Sequence, residues 1–88
     1  MFVKELQLYL SYLSNKIDEI QGVPSKKQQK YLNAFSKNLQ DLIDYYRSFT
    51  EQVKDMYKEG FERIEEELSR QNADMNKLQQ RLALLPLS

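Results

Sequence analysis

The side chains that most often carry catalysis or bind metals are few in type in this chain. It has no histidine and no cysteine. Zinc sites, iron–sulfur clusters, thiol catalysis and Ser-His triads are therefore excluded for the chain by itself. The remaining candidates for chemistry are carboxylates and lysines. The densest group of carboxylates comprises Glu59, Glu62, Glu65, Glu66 and Glu67.

Carboxylates on helices can hold a pair of metal ions, but ferritin-like sites of this kind also need Glu-x-x-His pairs. The glutamates here are instead interspersed with cations at helical spacing, as in Lys58 with Glu62, Glu59 with Arg63 and Glu66 with Arg70. Such i,i+4 pairs are typical of a solvated helix surface. We therefore expect no metal site, no cofactor and no catalytic residue, and we interpret the chain as a non-enzyme.

A second charged group is basic and consists of Lys26, Lys27, Lys30 and Lys37. Four lysines in a short segment can attract nucleic-acid phosphates or anionic lipid. They can also form a solvated face or meet the acidic surface of another protein. The whole chain is neutral, with 13 cationic and 13 acidic residues, whereas nucleic-acid-binding domains are typically basic. Binding to an anionic surface is therefore the alternative function and not the preferred one.

Helices must position these residues, because the apolar pattern of the chain has helical spacing. In the first segment, apolar residues recur at alternating intervals of three and four, which is the heptad pattern of packed helices. Gly22 and Pro24 then favour the end of a first helix that covers about residues 2–21. The apolar positions of this helix are Val3, Leu6, Leu10, Leu13, Ile17 and Ile20.

The second helix is expected to begin at residue 26, because Ser25 and Gln28 form a Ser-x-x-Gln capping box at that point. A turn this short predicts that the two helices are antiparallel neighbours, as in a helical hairpin. No proline interrupts the heptads again before Pro86. The fold class is therefore all-α, with a long or once-broken C-terminal arm that extends to about residue 84 and packs as a coiled coil or helical bundle.

The sequence leaves open where this arm breaks. Gly60 costs only about 1 kcal/mol inside a helix, so it need not end one. A second Ser-x-x-Glu box predicts a bend or break near residues 47–50, and residues 72–74 are a further candidate. The chain is then a single helical domain, 1–88, divided into a first helix (1–22), a second helix (25–49) and an extension or third helix (50–85).

The C-terminal arm is too long for the hairpin to cover. At 1.5 Å per residue, residues 50–84 would span roughly 50 Å, whereas each arm of the hairpin would span roughly 30 Å. The overhanging apolar residues would face water in a monomer, so we predict that a second copy covers them in a dimer or higher assembly. The predicted self-association residues are Phe61, Ile64, Leu68, Gln71, Met75, Leu78, Leu82 and Leu85.

Six tyrosines and four phenylalanines are many aromatic residues for 88 positions. Their spacing is mostly that of core residues, and this applies to Tyr9, Tyr12, Tyr31, Phe35, Phe49, Tyr57 and Phe61. Tyr45 lies off the main seam, where its ring can bury area while its hydroxyl stays wet, as binding surfaces require. We predict a partner surface formed by Lys26, Lys27, Lys30, Lys37 and Tyr45.

The segment 36–46 resembles the signature of the Spo0E-like phosphatases, small helical hairpins that act on response regulators. The matches to its pattern, Ser-x-x-Leu-Asp-x-Leu-Ile-x-x-Tyr, are Ser36, Leu39, Leu42, Ile43 and Tyr46. The resemblance implies a small phosphotransfer-regulating protein, but Gln40 stands where the family has the Asp on which its activity rests. This function is a third hypothesis, and it would need Asp41 or Asp44.

The function that these patterns favour is protein–protein interaction. The chain would act as an assembly, adaptor or regulatory module through its apolar helix faces. Its expected partners are another copy of itself and another protein, with no small-molecule substrate. No apolar run reaches the ~18–20 residues of a membrane span, and the N-terminus lacks the pattern of a secretory signal. The default expectation is an intracellular protein.

Overall fold

The computed structural model describes residues 2–56 and 60–86 and contains three helices that pack against one another. These are α1 (Phe2–Asp18), α2 (Lys26–Val53) and α3 (Phe61–Ala83). The described residues contain no strand, so the predicted all-α helical bundle is confirmed. No helix among the described residues is both long and apolar enough to cross a membrane.

The first turn follows the prediction closely, although α1 ends at Asp18 rather than near residue 21. The Ile20 amide donates to the Ile17 carbonyl at 3.1 Å, an i→i+3 bond that tightens the chain as the helix ends. Gly22 then adopts a φ of 73°, a left-handed conformation that glycine reaches without steric cost. The predicted helix was too long because the heptad pattern continues for a few residues into the turn.

The predicted capping box at the start of α2 is confirmed. The Ser25 hydroxyl accepts a hydrogen bond from the Gln28 amide at 3.1 Å, and the Gln28 side-chain oxygen accepts one from the Ser25 amide at 3.0 Å. Two amide groups that the helix itself leaves without partners are satisfied in this way. The turn therefore sets the point at which the chain reverses between α1 and α2.

The second break lies elsewhere than the predicted residues 47–50, and the boundary drawn at 49/50 was wrong. α2 continues to Val53, and the Thr50 hydroxyl donates to the Tyr46 carbonyl at 2.7 Å inside the helix. The chain leaves the helix after Val53, and Gly60, with a φ of 87°, precedes α3. Residues 72–74 lie inside α3. A Ser-x-x-Glu sequence caps a helix only where backbone amides lack partners, and those near Glu51 lie within a continuous helix.

The expectation that the C-terminal arm overhangs the hairpin was also wrong. α3 reverses direction after Gly60 and packs against both α1 and α2. Most residues predicted for self-association consequently lie in or against the chain's own core: Leu68, Gln71, Met75 and Leu78 are buried, and Ile64 and Leu82 pack against the core. Phe61 and Leu85 are half-buried. A segment of the same chain covers them because the short connection holds it near at a high effective concentration.

The core is a single aliphatic cluster with contributions from all three helices. Its buried members are Leu6, Leu10, Leu13, Ile17, Leu32, Leu39, Ile43, Leu68, Met75 and Leu78. The predicted first seam is confirmed here, since Leu6, Leu10, Leu13 and Ile17 are all buried and Ile20 packs against the cluster. Burial of this apolar area is the main term that holds the small bundle together.

Polar side chains within the bundle fix how α3 sits on its neighbours. The buried Gln71 donates from Nε2 to the Val3 carbonyl of α1 at 2.8 Å. Gln40 of α2 donates to Asn72 Oδ1 at 3.0 Å and accepts from Gln79 Nε2 at 3.2 Å. Because sliding α3 along the pair would leave buried amides without partners, these bonds set its register. Gln71 thus has the register role of a polar seam residue within one chain.

Candidate functional site

An aromatic surface lies where α1 and α2 meet on the side away from α3. The ring centroids of Tyr12 and Phe35 are 5.2 Å apart, and those of Tyr31 and Phe35 are 6.3 Å apart. The hydroxyls of Tyr12 and Tyr31 are joined by a hydrogen bond of 3.0 Å. Aromatic side chains from two helices, 19 residues apart in sequence, therefore form one cluster.

The cluster continues along α2 as a second stripe beside the core stripe. The stripe residues recur at intervals of four and three, namely Tyr31, Phe35, Asn38, Leu42, Tyr45 and Phe49. This spacing keeps them on one side of the helix. Tyr45 packs edge-on against Tyr46 with centroids 5.5 Å apart, and Tyr46 in turn packs against the core. The outer rings are therefore supported from beneath by the bundle.

A shallow apolar groove runs through the middle of this surface. Its volume is about 220 Å³, and it is lined by Tyr9, Phe35, Asn38, Leu39 and Leu42. The floor is fixed, because Leu39 belongs to the buried core while Phe35 and Leu42 pack against that core. A groove of this form suits the apolar side chains of another helix.

The large apolar side chains that solvent reaches are concentrated on this surface. Five of the nine exposed large apolar residues in the described part of the chain, Tyr9, Tyr12, Tyr31, Tyr45 and Phe49, lie here, and the other four are Leu8, Val23, Met56 and Leu84. We call these five residues together with Phe35 and Leu42 the aromatic face. α3, described over its whole length, exposes no large apolar side chain. The prediction that Tyr9, Tyr12, Tyr31 and Phe49 are core residues was wrong, because no third helix covers the α1/α2 pair on this side. Tyr57 lies outside the described residues.

Charged side chains border the aromatic face in an ordered way. At the end near the first turn, the Lys16 ammonium lies 5.4 Å from the centroid of the Tyr12 ring and 3.5 Å from a Glu19 carboxylate oxygen. Lys27, four residues before Tyr31, lies on the same side of α2. Level with the middle of the face, Glu5 precedes Tyr9 by four residues, and Asp41 precedes Tyr45 by four. Lysines therefore border the end of the face near the first turn, where Glu19 pairs with Lys16, and carboxylates border its middle.

The Tyr12–Tyr31 hydrogen bond also affects the ionisation of Tyr31. It raises the pKa of the Tyr31 hydroxyl above the ordinary tyrosine value, because ionisation would remove the proton that the bond uses. Tyr31 accordingly keeps its hydroxyl proton at neutral pH. The aromatic face presents to solvent a neutral surface of rings with polar tips.

The predicted partner surface is divided between two sides of α2. Tyr45 lies on the aromatic face, and Lys27 lies at its edge. Lys26, Lys30 and Lys37 lie on another side of α2. Each of them comes one position before a residue on the side of the aromatic face, and one position corresponds to a rotation of about 100° around the helix. All four lysines are exposed and form no ion pair among the described residues. The lysines therefore do not form one patch with Tyr45.

The carboxylates form no metal site among residues 2–56 and 60–86. The expected pair of Glu66 with Arg70 is not made, because the Arg70 guanidinium bonds Glu67 one turn away at i,i+3 instead. Lys58 and Glu59, which were expected to pair with Glu62 and Arg63, lie outside the described residues.

The residues that carry the resemblance to the phosphatase signature are mostly packed inside the bundle. Ser36, Leu39 and Ile43 are buried, and Leu42 and Tyr46 pack against the core. Asp44 accepts a hydrogen bond from the Gln40 side chain at 3.0 Å, and Asp41 is exposed. Packing alone accounts for the apolar positions of the match.

Neither protein families, nor curated proteins, nor solved structures show a match to this chain. The aromatic face must therefore be interpreted from its own residues. The sequence signal that could have located it is the second heptad stripe on α2, from Tyr31 to Phe49, running beside the first. One helix with two adjacent apolar stripes has contacts with more than one neighbour.

Proposed function

We propose that this chain is a non-enzymatic protein–protein interaction module that binds its partner through the aromatic face. One observation carries the proposal: six of the nine exposed large apolar side chains among the described residues lie on α1 or α2, and five of these are the rings of the aromatic face. Contiguous apolar patches larger than a few hundred Å² are rare on monomeric proteins and mark interaction sites. The chain would then work as an assembly, adaptor or regulatory module.

The residue types of the face support this function. Tyrosine and phenylalanine are enriched in protein interfaces, while lysine and glutamate are depleted from their centres. Tyr45 and Phe49 present rings whose two side-chain torsions cost little entropy to fix. The rings rest on the core through Tyr46 and Phe35, so little ordering of the surface is needed before a partner binds.

The test is site-specific photo-crosslinking in the cells that make the protein. A benzophenone side chain is placed at Tyr45 on the aromatic face and, in a matched control, at Gln80, which is exposed on α3. We expect discrete protein adducts from position 45 and not from position 80. The adducts should disappear when Phe49→Lys is added. Equal labelling at both positions would contradict the proposal.

Binding to an anionic surface is a second candidate, and one observation favours it. Lys26, Lys30 and Lys37 form an exposed stripe without ion pairs among the described residues, and the first turn of α2 contains no acidic residue. Cations in a first turn oppose the helix dipole, so an external anion would stabilise them.

Retention on heparin and on anionic vesicles across a salt gradient tests this candidate. Reversal of the three stripe lysines to Glu is expected to abolish retention if the stripe binds anions. Three exposed cations elsewhere, reversed to Glu, give a control of identical net charge. They are Lys4, Arg63 and Lys77. Equal retention of both variants would exclude a role for the stripe.

A further inference from the structure

We propose that Tyr12 and Tyr31 form an oxidative modification site, at which a one-electron oxidant joins the two rings through a bond between their ortho carbons. The oxidant is a peroxide acting through a haem peroxidase. The product is an intramolecular dityrosine that links α1 to α2 at the end of the aromatic face near the first turn. The modification needs no partner bound to the aromatic face, so it goes beyond the proposed function.

The two phenol groups already lie in the arrangement that the product requires. Their hydroxyl oxygens are 3.0 Å apart, although the residues are 19 positions apart in sequence and belong to different helices. In an ortho–ortho dityrosine, each carbon of the new bond neighbours the carbon that bears the hydroxyl, so the two hydroxyls of the product adjoin. The hydrogen bond between Tyr12 and Tyr31 therefore brings together the parts of the rings that coupling would join.

Phe35 supports both rings from one side. Its centroid lies 5.2 Å from that of Tyr12 and 6.3 Å from that of Tyr31, and it packs against the core. A partner held in place within the same molecule reacts as if it were present at a very high concentration. Because tyrosyl radicals are short-lived, this proximity favours coupling between Tyr12 and Tyr31 over coupling between molecules.

The pair is accessible, and the chain offers the oxidant few competing side chains. Tyr12 is 39% exposed and Tyr31 is 52% exposed, so an oxidant in solution reaches both rings. The chain has no cysteine and no tryptophan, which are the side chains that compete with tyrosine for one-electron oxidation. Methionine reacts with peroxide in another way, because it gains an oxygen atom and becomes a sulfoxide. The two kinds of product therefore differ in mass.

The coupling step balances with one molecule of hydrogen peroxide. Each tyrosine gives up its hydroxyl hydrogen as one electron and one proton, which leaves an unpaired electron shared between the oxygen and the ortho carbons. The two unpaired electrons form the new carbon–carbon bond. Each joined carbon then loses its hydrogen as a proton while the oxygen of the same ring gains one, which restores the aromatic ring and the hydroxyl. The protein loses two hydrogen atoms in total, and the peroxide is reduced to two molecules of water.

The test is treatment of the purified, dilute chain with a haem peroxidase and hydrogen peroxide, followed by digestion with trypsin and mass spectrometry. Trypsin cleaves after lysine, so Tyr12 and Tyr31 lie on the separate peptides 5–16 and 31–37. We expect these two peptides to be joined in protein that is still monomeric, with a mass two hydrogen atoms below their sum. Dityrosine fluorescence should appear with the joined peptides.

Single tyrosine substitutions identify the two rings. Tyr12→Phe and Tyr31→Phe should each lower the yield of the joined peptides at least about tenfold, because each removes one of the coupling partners that the fold holds together. Tyr9→Phe is the matched control on peptide 5–16, and Tyr45→Phe removes a ring of the edge-on Tyr45–Tyr46 pair. Both controls should leave the yield unchanged.

A second measurement asks whether the bond links the two helices of the folded protein. A covalent link between residues 12 and 31 restricts the unfolded chain, so the melting temperature of the modified monomer should rise by at least about 10 °C. Thermal unfolding followed by circular dichroism compares it with untreated protein and with treated Tyr31→Phe, which should melt like the untreated protein.

Three results would overturn the proposal. An undiminished yield in Tyr12→Phe would assign the coupling to Tyr9 instead. Dityrosine that forms only between molecules, or methionine sulfoxide without any dityrosine, would show that the hydroxyl pair is not a coupling site. An unchanged melting temperature of the modified monomer would show that the bond does not join the helices as they pack in the fold.

Discussion

Two stripes of the molecule have the same heptad spacing and opposite surroundings. The stripe on α3, around Leu68 and Met75, is packed against the other two helices and buried. The second stripe on α2, around Tyr45 and Phe49, faces solvent. The buried stripe is mainly aliphatic with one glutamine, whereas the exposed stripe is mainly aromatic with polar tips. The difference indicates that side-chain type, and not spacing alone, separates the buried seam from the exposed stripe.

The comparison is tested most strongly by matched truncations in the two stripes. Leu68→Ala should lower the free energy of unfolding by about 2–5 kcal/mol, because it removes a buried side chain and leaves a cavity. Tyr45→Ala should lower it by only about 1 kcal/mol, because the exposed ring loses little more than its edge-on contact with Tyr46. Urea unfolding followed by circular dichroism measures both values. Equal losses would show that Tyr45 is a core residue after all.

The position of α3 depends on the backbone at Gly60, which allows the chain to reverse. Gly60→Ala is expected to cost about 1–2 kcal/mol of stability, because an L-residue is strained at a φ of 87°. The site has open space for a Cβ, so the cost would come from the backbone alone. A matched Gly22→Ala, at a φ of 73°, should cost a similar amount. A thermal melt of each variant measures it, and an unchanged Gly60→Ala protein would contradict the left-handed turn.

These two outcomes show how far prediction from the sequence reaches. The turn at Gly22 was found because glycine, proline and a capping box coincide there. The turn before Gly60 was missed because the local sequence allows a continuous helix, and only the tertiary packing of Leu68 and Met75 makes reversal favourable. Sequence spacing also does not show which helix faces are covered by another helix. Tyr45 was therefore recognised as an outer residue, but Tyr9 and Tyr31 were assigned to the core.

The polar member of the buried stripe gives a sharper test. Gln71 is fully buried and bonds the Val3 carbonyl, but its Oε1 has no hydrogen-bond partner among the described residues. Gln71→Leu should raise stability by about 1 kcal/mol, since it removes a desolvated oxygen and the Val3 carbonyl keeps its helical partner. Chemical denaturation of the two proteins side by side measures the difference. A loss of 2 kcal/mol or more would mean that the glutamine is fully satisfied.

The smallest expected effect concerns the hydroxyl bond on the aromatic face. The pKa of Tyr31 in the folded chain is raised, chiefly by its bond to Tyr12, so this bond stabilises the fold below the ordinary tyrosine pKa. Its contribution is lost as the pH rises through the pKa of the folded state. Tyrosinate absorbance should show a late-titrating tyrosine, and Tyr12→Phe should return the pKa of Tyr31 towards its ordinary value. An unchanged titration would mean that the two hydroxyls are not bonded in solution.

The sequence by itself determined the helices, the first turn and the residues that can fill a core, because local propensity, capping and periodicity are properties of neighbouring positions. It also determined that His- and Cys-based chemistry is absent. Only the tertiary structure decided which stripe became the core. α2 has two adjacent apolar stripes, and α3 can cover only one of them. The aliphatic stripes of α1 and α2 pack against α3, whereas the Tyr-rich stripe of α2 remains exposed to solvent. Burying it would cost free energy, because tyrosine hydroxyls would be left without hydrogen-bond partners in the core.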